Sequence, residues 1–365
     1  MSDARPILLA AGGTGGHLFP AEALANELAA RGVPVELVTD ERALKYGGAF
    51  PARAMHRVRA ATPTGGSIVS KASAVAQLGV GFFEALALLR RVKPLCVVGF
   101  GGYPTAPPAL AASVLGIPTV LHEQNAVMGR ANRFLAGRAD RIATGFAQLK
   151  GPSAAVLAKC EHVGNPVRPA VIAAAAMPYP DVADGRLRVL VTGGSQGARV
   201  MSDVVPTAVA ALAPELRARL TLVQQARGED ETRVREAYAA LGFTAEVAPF
   251  FADLPMRMAQ AHLVIARAGA STVSELAVIG RPSILVPFPF ALDQDQAANA
   301  AHLAASGAAV VIPQPEFTTS RLKAELEAAF ADPQGLTRRA AAAKSAGTPD
   351  AAARLADLAL RVAGV

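Results

Sequence analysis

Several stretches of this 365-residue chain combine residue types that could do chemistry. The first is Gly12-Gly13-Thr14-Gly15-Gly16-His17. Glycines let backbone approach a bound group with no Cβ in the way, and free N–H groups at a helix start attract an anion. His17 would then be a titratable group beside an anion site, with an ordinary pKa near neutrality. The plainer alternative is a tight turn packing a helix on a sheet, with His17 capping that helix or holding the loop. The pattern is not a dinucleotide fingerprint, because Leu18 stands where the third glycine belongs. No Gly-Lys-Ser/Thr follows, so it is not a Walker loop either. Both absences argue against NAD and ATP.

A second glycine turn, Gly193-Gly194-Ser195-Gln196-Gly197, offers Ser195 and backbone N–H groups to a phosphate. It also matches the G-x-S-x-G nucleophile elbow. A serine hydrolase would need a later acid and a histidine, and Asp253 or Asp293 followed by His302 are in the right order. In Arg267-Ala268-Gly269-Ala270-Ser271-Thr272-Val273-Ser274-Glu275 a helix start could face an anion, with Arg267 beside it and Glu275 accepting sugar hydroxyls. Thr272 and Glu275 also have capping-box spacing. His122-Glu123-Gln124-Asn125 opens like a zinc-protease helix, but Ala126 replaces the second histidine. Asp293-Gln294-Asp295 could hold a divalent ion, although such pairs are more often solvated. Gln296 and Asn299 are three apart and share a helix face, which suits a hydroxyl-rich ligand or a plain surface helix.

The elements that must position these residues alternate. Apolar runs at 7–10, 34–39, 95–99, 117–121 and 141–144 read as strands separated by helical stretches. The same grammar restarts at 187–192, 220–224, 245–248, 263–266, 283–287 and 308–312. Alternation of this kind gives parallel sheets with helices on both faces. Ligands then bind at the carboxyl ends of the strands, where His17, Tyr103 and residues 122–125 all fall. The pattern predicts two doubly wound domains with a cleft between them: 1–166, 167–345, and a C-terminal helix at 346–365 that could pack on either.

Hydrophobic residues make up 52% of the chain, enough for two cores, and the net charge is +7. That charge favours an acidic partner, phosphorylated ligand or anionic lipid before nucleic acid, since no interleaved basic and aromatic surface is visible. Cys96 and Cys160 lack metal or redox spacing and fit a reducing compartment. The first strand follows the N-terminus directly, which predicts no secretory leader. Residues 94–121 are uncharged, but five prolines break them, so they read as strand, loop, helix and strand rather than a membrane span. Residues 68–93 carry Ile68, Val69, Leu78, Val80, Phe82 and Phe83 with Lys71, Arg90, Arg91 and Lys93 around them. They read as a helix packing on the sheet, or as an apolar patch with a basic rim that meets an anionic membrane.

Taken together, these stretches and Gly99-Phe100-Gly101-Gly102-Tyr103, Gly164-Asn165-Pro166-Val167-Arg168 and Gln296-Ala297-Ala298-Asn299 resemble the MurG glycosyltransferases from Ile7 to about Gly307. The resemblance implies an α/β GT-B fold of two Rossmann-like domains, with the lipid acceptor on the first and the donor on the second. It implies UDP-N-acetylglucosamine (UDP-GlcNAc) as donor and an inverting transfer to the 4-hydroxyl of the N-acetylmuramoyl (MurNAc) unit of lipid I, without cofactor or metal; the D-x-D is then coincidental. By position it assigns Ser195 and Arg168 to the donor diphosphate, backbone at Phe251 to uracil, and Ala270, Ser271, Thr272, Val273 and Ser274 to the nucleotide. Glu275 would take the ribose, Gln296 and Asn299 the sugar, and Thr14, Gly15, Gly16 and Asn125 the sugar from the other domain. Gly12, Gly13, Tyr103, His122 and Glu123 would line the acceptor side; His17, with an ordinary pKa near the working pH, would be the base or the group that orients the attacking hydroxyl. It further implies a peripheral enzyme of peptidoglycan synthesis on the cytoplasmic face of the bacterial inner membrane, near cell-wall or division machinery. A UDP-sugar epimerase would share the two-domain form.

Overall fold

A computed structural model describes residues 4–12, 15–40, 50–61, 68–194, 197–291 and 294–365. The chain divides into two compact units, Met1–Arg168 with Pro349–Val365, and Pro169–Thr348.

The first unit runs β1 (Ile7–Ala10), α1 (Gly15–Ala30), β2 (Val35–Thr39), β3 (Ala54–Arg57), α2 (Ile68–Val92), β4 (Cys96–Gly99), α3 (Ala106–Leu115), β5 (Thr119–Glu123), α4 (Arg130–Leu135), β6 (Arg141–Thr144), α5 (Ala154–Leu157) and β7 (Cys160–His162). Its sheet order is β3-β2-β1-β4-β5-β6-β7, parallel throughout, with Ile7 opposite both Val35 and Cys96. The order reverses between β1 and β4, so the turns after those two strands flank the point where such sheets open for ligands. The sequence pattern misses β3 and β7. Both are short edge strands, and β3 alternates half-buried and exposed positions rather than forming an apolar run.

Helix α1 buries Leu18, Ala21, Leu24, Ala25 and Leu28 at three- and four-residue spacing against β1 and β2. On the other face, α2 packs through Ala85, Leu88 and Leu89. Cys96 is a core residue of β4, and burial pushes its thiol up to about 12.

The second unit runs α6 (Pro169–Ala175), β8 (Leu187–Thr192), α7 (Arg199–Ala210), α8 (Pro214–Arg217), β9 (Leu220–Gln225), α9 (Gly228–Ala239), β10 (Glu246–Ala248), α10 (Leu254–Gln260), β11 (Leu263–Ala266), α11 (Ala270–Ile279), β12 (Ser283–Leu285), α12 (Asp295–Ala305), β13 (Ala309–Val311), α13 (Thr319–Ala331) and α14 (Pro333–Ala346). Its sheet order, β10-β9-β8-β11-β12-β13, repeats the first and reverses between β8 and β11. The last helix, α15 (Ala351–Ala363), belongs to the first unit. Leu355, Ala356, Leu358 and Ala359 enter that unit's core, and Arg361 is bonded to Glu161 at 2.7 and 2.9 Å.

Arg281, just past α11, is 1% exposed. Its guanidinium donates to the carbonyls of Met258 and Ala259 at the end of α10, of Ile279 and Gly280 at the end of α11, and of Pro178 in the connecting segment. It therefore satisfies the last carbonyls of two helices, which have no partners within their helices. Burial lowers its pKa to about 10, so it stays charged at neutral pH.

Edge strand β3 is held to β2 by a buried carboxylate. Glu36 accepts from Arg53 Nη2 at 2.6 Å and pairs with His56 Nε2 at 2.6 Å. Burial pushes the Glu36 carboxyl up, but the hydrogen bonds and charges of Arg53 and His56 outweigh it and the pKa is lowered. A lowered carboxylate pKa contributes stability that is complete above the unfolded value, near 4.5, and lost as pH falls through the folded one. Hydrogen exchange across residues 54–57 is therefore expected to accelerate below pH 4.5 before the β1–β4 core responds. In Glu36→Gln this acid step should vanish; an unchanged step would exclude Glu36 as its source.

Candidate active site

In the first unit the polar turns meet at the carboxyl ends of β1 and β4. Gly12 is buried; a Cβ there would stand 2.9 Å from Asp40 Oδ1 and 3.0 Å from Pro104. Gly13 and Thr14 lie outside the described residues. Helix α1 opens at Gly15, with Gly16 exposed and His17 half-buried in its first turn. The imidazole lies against Gly101 and Gly102. Their φ values are +80° and +70°, and a Cβ on either would come within 3.3–3.6 Å of the ring. The left-handed backbone favours glycine at both positions, and at Gly102 the ring also leaves a side chain little room. Thr105 ties this turn to β1, its hydroxyl 2.9 Å from the Ala10 carbonyl and 2.8 Å from that of Gly101. Tyr103 is half-buried at the start of a single 3₁₀ turn.

Burial lowers the pKa of His17, opposed by the neighbouring Gln124 side chain and Phe100 backbone. Gln124 is itself fixed: its Nε2 donates to the Phe100 carbonyl at 2.7 Å, and its backbone carbonyl accepts from Asn165 Nδ2 at 2.9 Å. Both glutamine and asparagine are conspicuous in the sequence, but nothing in their spacing gives them this role.

His122 and Glu123 require a correction. Neither is open to a ligand, at 0% and 2% exposure. His122 Nε2 bonds the Gly164 carbonyl at 3.2 Å, and burial lowers its pKa to about 4, so it is a neutral donor holding the segment after β7. Glu123 accepts from the N–H groups of Asn125 at 3.0 Å and Gly129 at 2.9 Å, and from Asn132 Nδ2 at 2.8 Å. It shapes the loop that presents half-buried Asn125. Near α1, the Arg168 guanidinium stacks 4.0 Å above the Phe19 ring.

In the second unit the equivalent places follow β8, β10 and β11. Gly193 can carry no side chain, since a Cβ would stand 2.2 Å from the Ala198 nitrogen. Ser195 and Gln196 lie outside the described residues, as does Asp293. Phe251, after β10, is buried, with the Arg257 guanidinium 4.3 Å from its ring centroid.

Helix α11 starts after Gly269 with no side-chain cap, so its first-turn N–H groups at Ala270, Ser271 and Thr272 have no partner within the helix. Thr272 is the third residue of that helix, not its cap, and the capping-box alternative for Glu275 falls away. Glu275 is 5% exposed.

Gln296 and Asn299 do share a face, and they use it on their own fold. Gln296 Oε1 accepts from the N–H groups of Ala268 at 3.2 Å and Phe288 at 2.9 Å, while Asn299 Nδ2 donates to the Ala268 carbonyl at 3.2 Å. Asn299 is fully buried and clasps the peptide leading into α11. Arg267 likewise turns inward, onto the carbonyls of Val286 and Pro287 and Gln314 Oε1. Asp295 Oδ1 accepts from the Gln296 N–H at 2.7 Å, as first-turn acids do. Asp253 is paired with Arg257 at 2.7 Å rather than with a histidine.

Two parallel doubly wound domains with polar turns at both reversal points define the class, a two-domain GT-B fold. Residues 7–144 match the glycosyltransferase family 28 N-terminal domain and residues 188–355 its C-terminal domain. The chain is 60% identical to the UDP-N-acetylglucosamine–N-acetylmuramyl-(pentapeptide) pyrophosphoryl-undecaprenol N-acetylglucosamine transferase of Methylobacterium nodulans, covering 100% of this chain and 98% of the relative. The Brucella suis enzyme of the same name is 58% identical over 98% of this chain and 94% of its own. Among solved structures, Acinetobacter baumannii MurG superposes with a TM-score of 0.78 at 30% identity, covering 98% and 99% of the two chains. A Neisseria meningitidis UDP-GlcNAc 2-epimerase shares the fold alone, with a TM-score of 0.70 at 13% identity over 98% and 100%. The chain belongs to the MurG group of glycosyltransferase family 28. It is a hexosyltransferase, and neither the hydrolase nor the epimerase alternative is favoured by these relatives.

Proposed function

We propose that the chain moves GlcNAc from UDP-GlcNAc to the 4-hydroxyl of MurNAc in lipid I, undecaprenyl-pyrophosphoryl-MurNAc-pentapeptide, giving lipid II for peptidoglycan synthesis. The observation that carries this reading is end-to-end identity of 60% to a relative whose name states the transfer. The acceptor oxygen attacks C1 of the sugar, the bond from C1 to the UDP oxygen breaks with its electron pair leaving on UDP, and a base takes the hydroxyl proton. His17 is assigned as that base. A pKa held below its ordinary value keeps it neutral and able to accept at pH 7. Charge on departing UDP is met by the N-terminal N–H groups of α11, the turn at Gly193, Ser195 and Arg168. Thr14, Gly15, Gly16, Asn125 and Gln296 are assigned to the donor sugar, Phe251 backbone to uracil, Glu275 to ribose, and Gly12, Gly13 and Tyr103 to the acceptor. His122, Glu123 and Asn299 support these groups from within the fold. Incubation with UDP-GlcNAc and a lipid I analogue should release UDP and form the disaccharide together. UDP release without the acceptor, or none with it, would sink the reading.

The acceptor is a lipid, and the first unit offers a surface for one. Among the described residues one helical stretch, Ala72–Val92, is long and apolar enough to cross a membrane, by length and composition only. Val75, Val80 and Phe83 are 63%, 41% and 69% exposed, and Arg90, Arg91 and Lys93 follow on the surface. We read this as a peripheral contact with an anionic leaflet. Phe82 does not share it: adjacent helical residues point about 100° apart, and Phe82 packs into the core with Leu86 and Val92. Burying an aromatic ring is worth roughly 1.5–3 kcal/mol, so Phe83→Ser should weaken co-sedimentation with anionic liposomes about tenfold or more while leaving the fold intact. Phe82→Ser should instead lower the Tm. Equal sedimentation of wild type and Phe83→Ser would remove this face from the proposal.

A further inference from the structure

Gln225 ends β9, and no spacing pattern singles it out. Its side chain is buried and engaged at both ends. Oε1 accepts from the Thr192 hydroxyl at 2.8 Å and the Gly193 N–H at 3.0 Å. Nε2 donates to the carbonyls of Gly194 at 3.1 Å and Pro249 at 3.2 Å. The Thr192 oxygen in turn accepts from the Gly194 N–H at 3.3 Å. One planar amide thus joins the glycine turn after β8 to the segment after β10, two residues before Phe251. These strands lie on either side of β9.

We propose that Gln225 is a positioning residue that sets the spacing between the phosphate turn at Gly193-Gly194 and the base-reading backbone at Phe251, so that a nucleoside diphosphate is gripped at both ends. The inference rests on the donor-site reading above. Base and diphosphate are a fixed distance apart, so two loops recognise the whole ligand only when something holds them at that distance. A neutral amide suits the task. It supplies two acceptor lone pairs and two donors in one plane, and it puts no negative charge beside a diphosphate. A carboxylate would accept on one side and repel two carbonyls on the other.

The test measures uridine and UDP affinity by calorimetry on the full chain, with steady-state kinetics on UDP-GlcNAc and a lipid I analogue. Gln225→Met keeps the volume and removes all four bonds. It should weaken uridine and UDP about tenfold or more and raise the donor KM alike, while the acceptor KM holds. Thr192→Val removes the hydroxyl's bonds to Gln225 Oε1 and from the Gly194 N–H, loosening the phosphate turn while the bond to Pro249 stays, so UDP should weaken several-fold with uridine unchanged. Uridine binding untouched by Gln225→Met overturns the bridge, and so does parallel loss of uridine and UDP in Thr192→Val. If Gln225→Met does not fold, the Thr192→Val pattern alone decides. Wild-type chain that binds no UDP defeats the donor-site reading instead, before either variant is considered.

Discussion

Replacing His17 with alanine is expected to lower kcat with a lipid acceptor by about 10²- to 10⁴-fold, the usual worth of a general base. Donor binding should change little, because none of the donor contacts assigned here uses the imidazole. A fall of less than about tenfold would exclude His17 as the base. The pH profile gives an independent check. A base must be unprotonated, and burial lowers the His17 pKa from 6.5. The acidic limb of kcat/KM should therefore lie below pH 6.5, with activity rising through it and level at neutrality. His122 does not contribute that limb, since burial holds it at about 4 and its Nε2 is bonded to Gly164. Loss of the limb in a His17 variant that retains residual activity would tie it to this residue.

The second large effect is on stability. Arg281→Met is expected to cost more than about 4 kcal/mol. The change fills much of the same volume but leaves four buried carbonyls, those of Met258, Ala259, Ile279 and Gly280, without their donor, and an unsatisfied buried group costs roughly 1–3 kcal/mol. In a domain of this size, each kcal/mol moves Tm by about 2–4 °C, so a drop of roughly 10 °C or more should appear in thermal unfolding. Arg281→Lys should fall between. It keeps a charge but has three donors on one atom, and cannot reach the ends of α10 and α11 together. A Tm within about 3 °C of wild type for Arg281→Met would show that water replaces the guanidinium.

The alternation of apolar strands and amphipathic helices made both sheets legible before any coordinate, because a buried parallel strand must be a continuous apolar run. It failed at β3 and β7, edge strands with one wet face. The polar turns at strand ends were legible for the same reason, but their side chains were not. His122, Glu123 and Asn299 have the types and places of ligand groups. Whether such a group faces a ligand or a neighbouring carbonyl depends on packing that spacing does not encode. The reverse error concerns Gln124 and Gln225. Each is a glutamine at or one residue past the carboxyl end of a strand, bracing the turn of a neighbouring strand. The only available signal was a long amide placed where an apolar run stops. Phe82 and Phe83 make the same point on a helix, one residue apart and on opposite sides of the surface.

The return of α15 to the first unit has a consequence for how the protein is made. Chain passes out of that unit at Arg168 and re-enters at Pro349, so the second unit is an insertion within the first. During synthesis at about 5–20 residues per second, all of Pro169–Thr348 must be translated, on the order of 10–40 s, before Leu355 and Leu358 can cover α1 and β4. The second unit can complete its core on the ribosome while the first still waits with part of its own unsealed. Translation therefore closes the first unit last, and a nascent chain halted before α15 would leave the ribosome with its first-made domain the more exposed of the two.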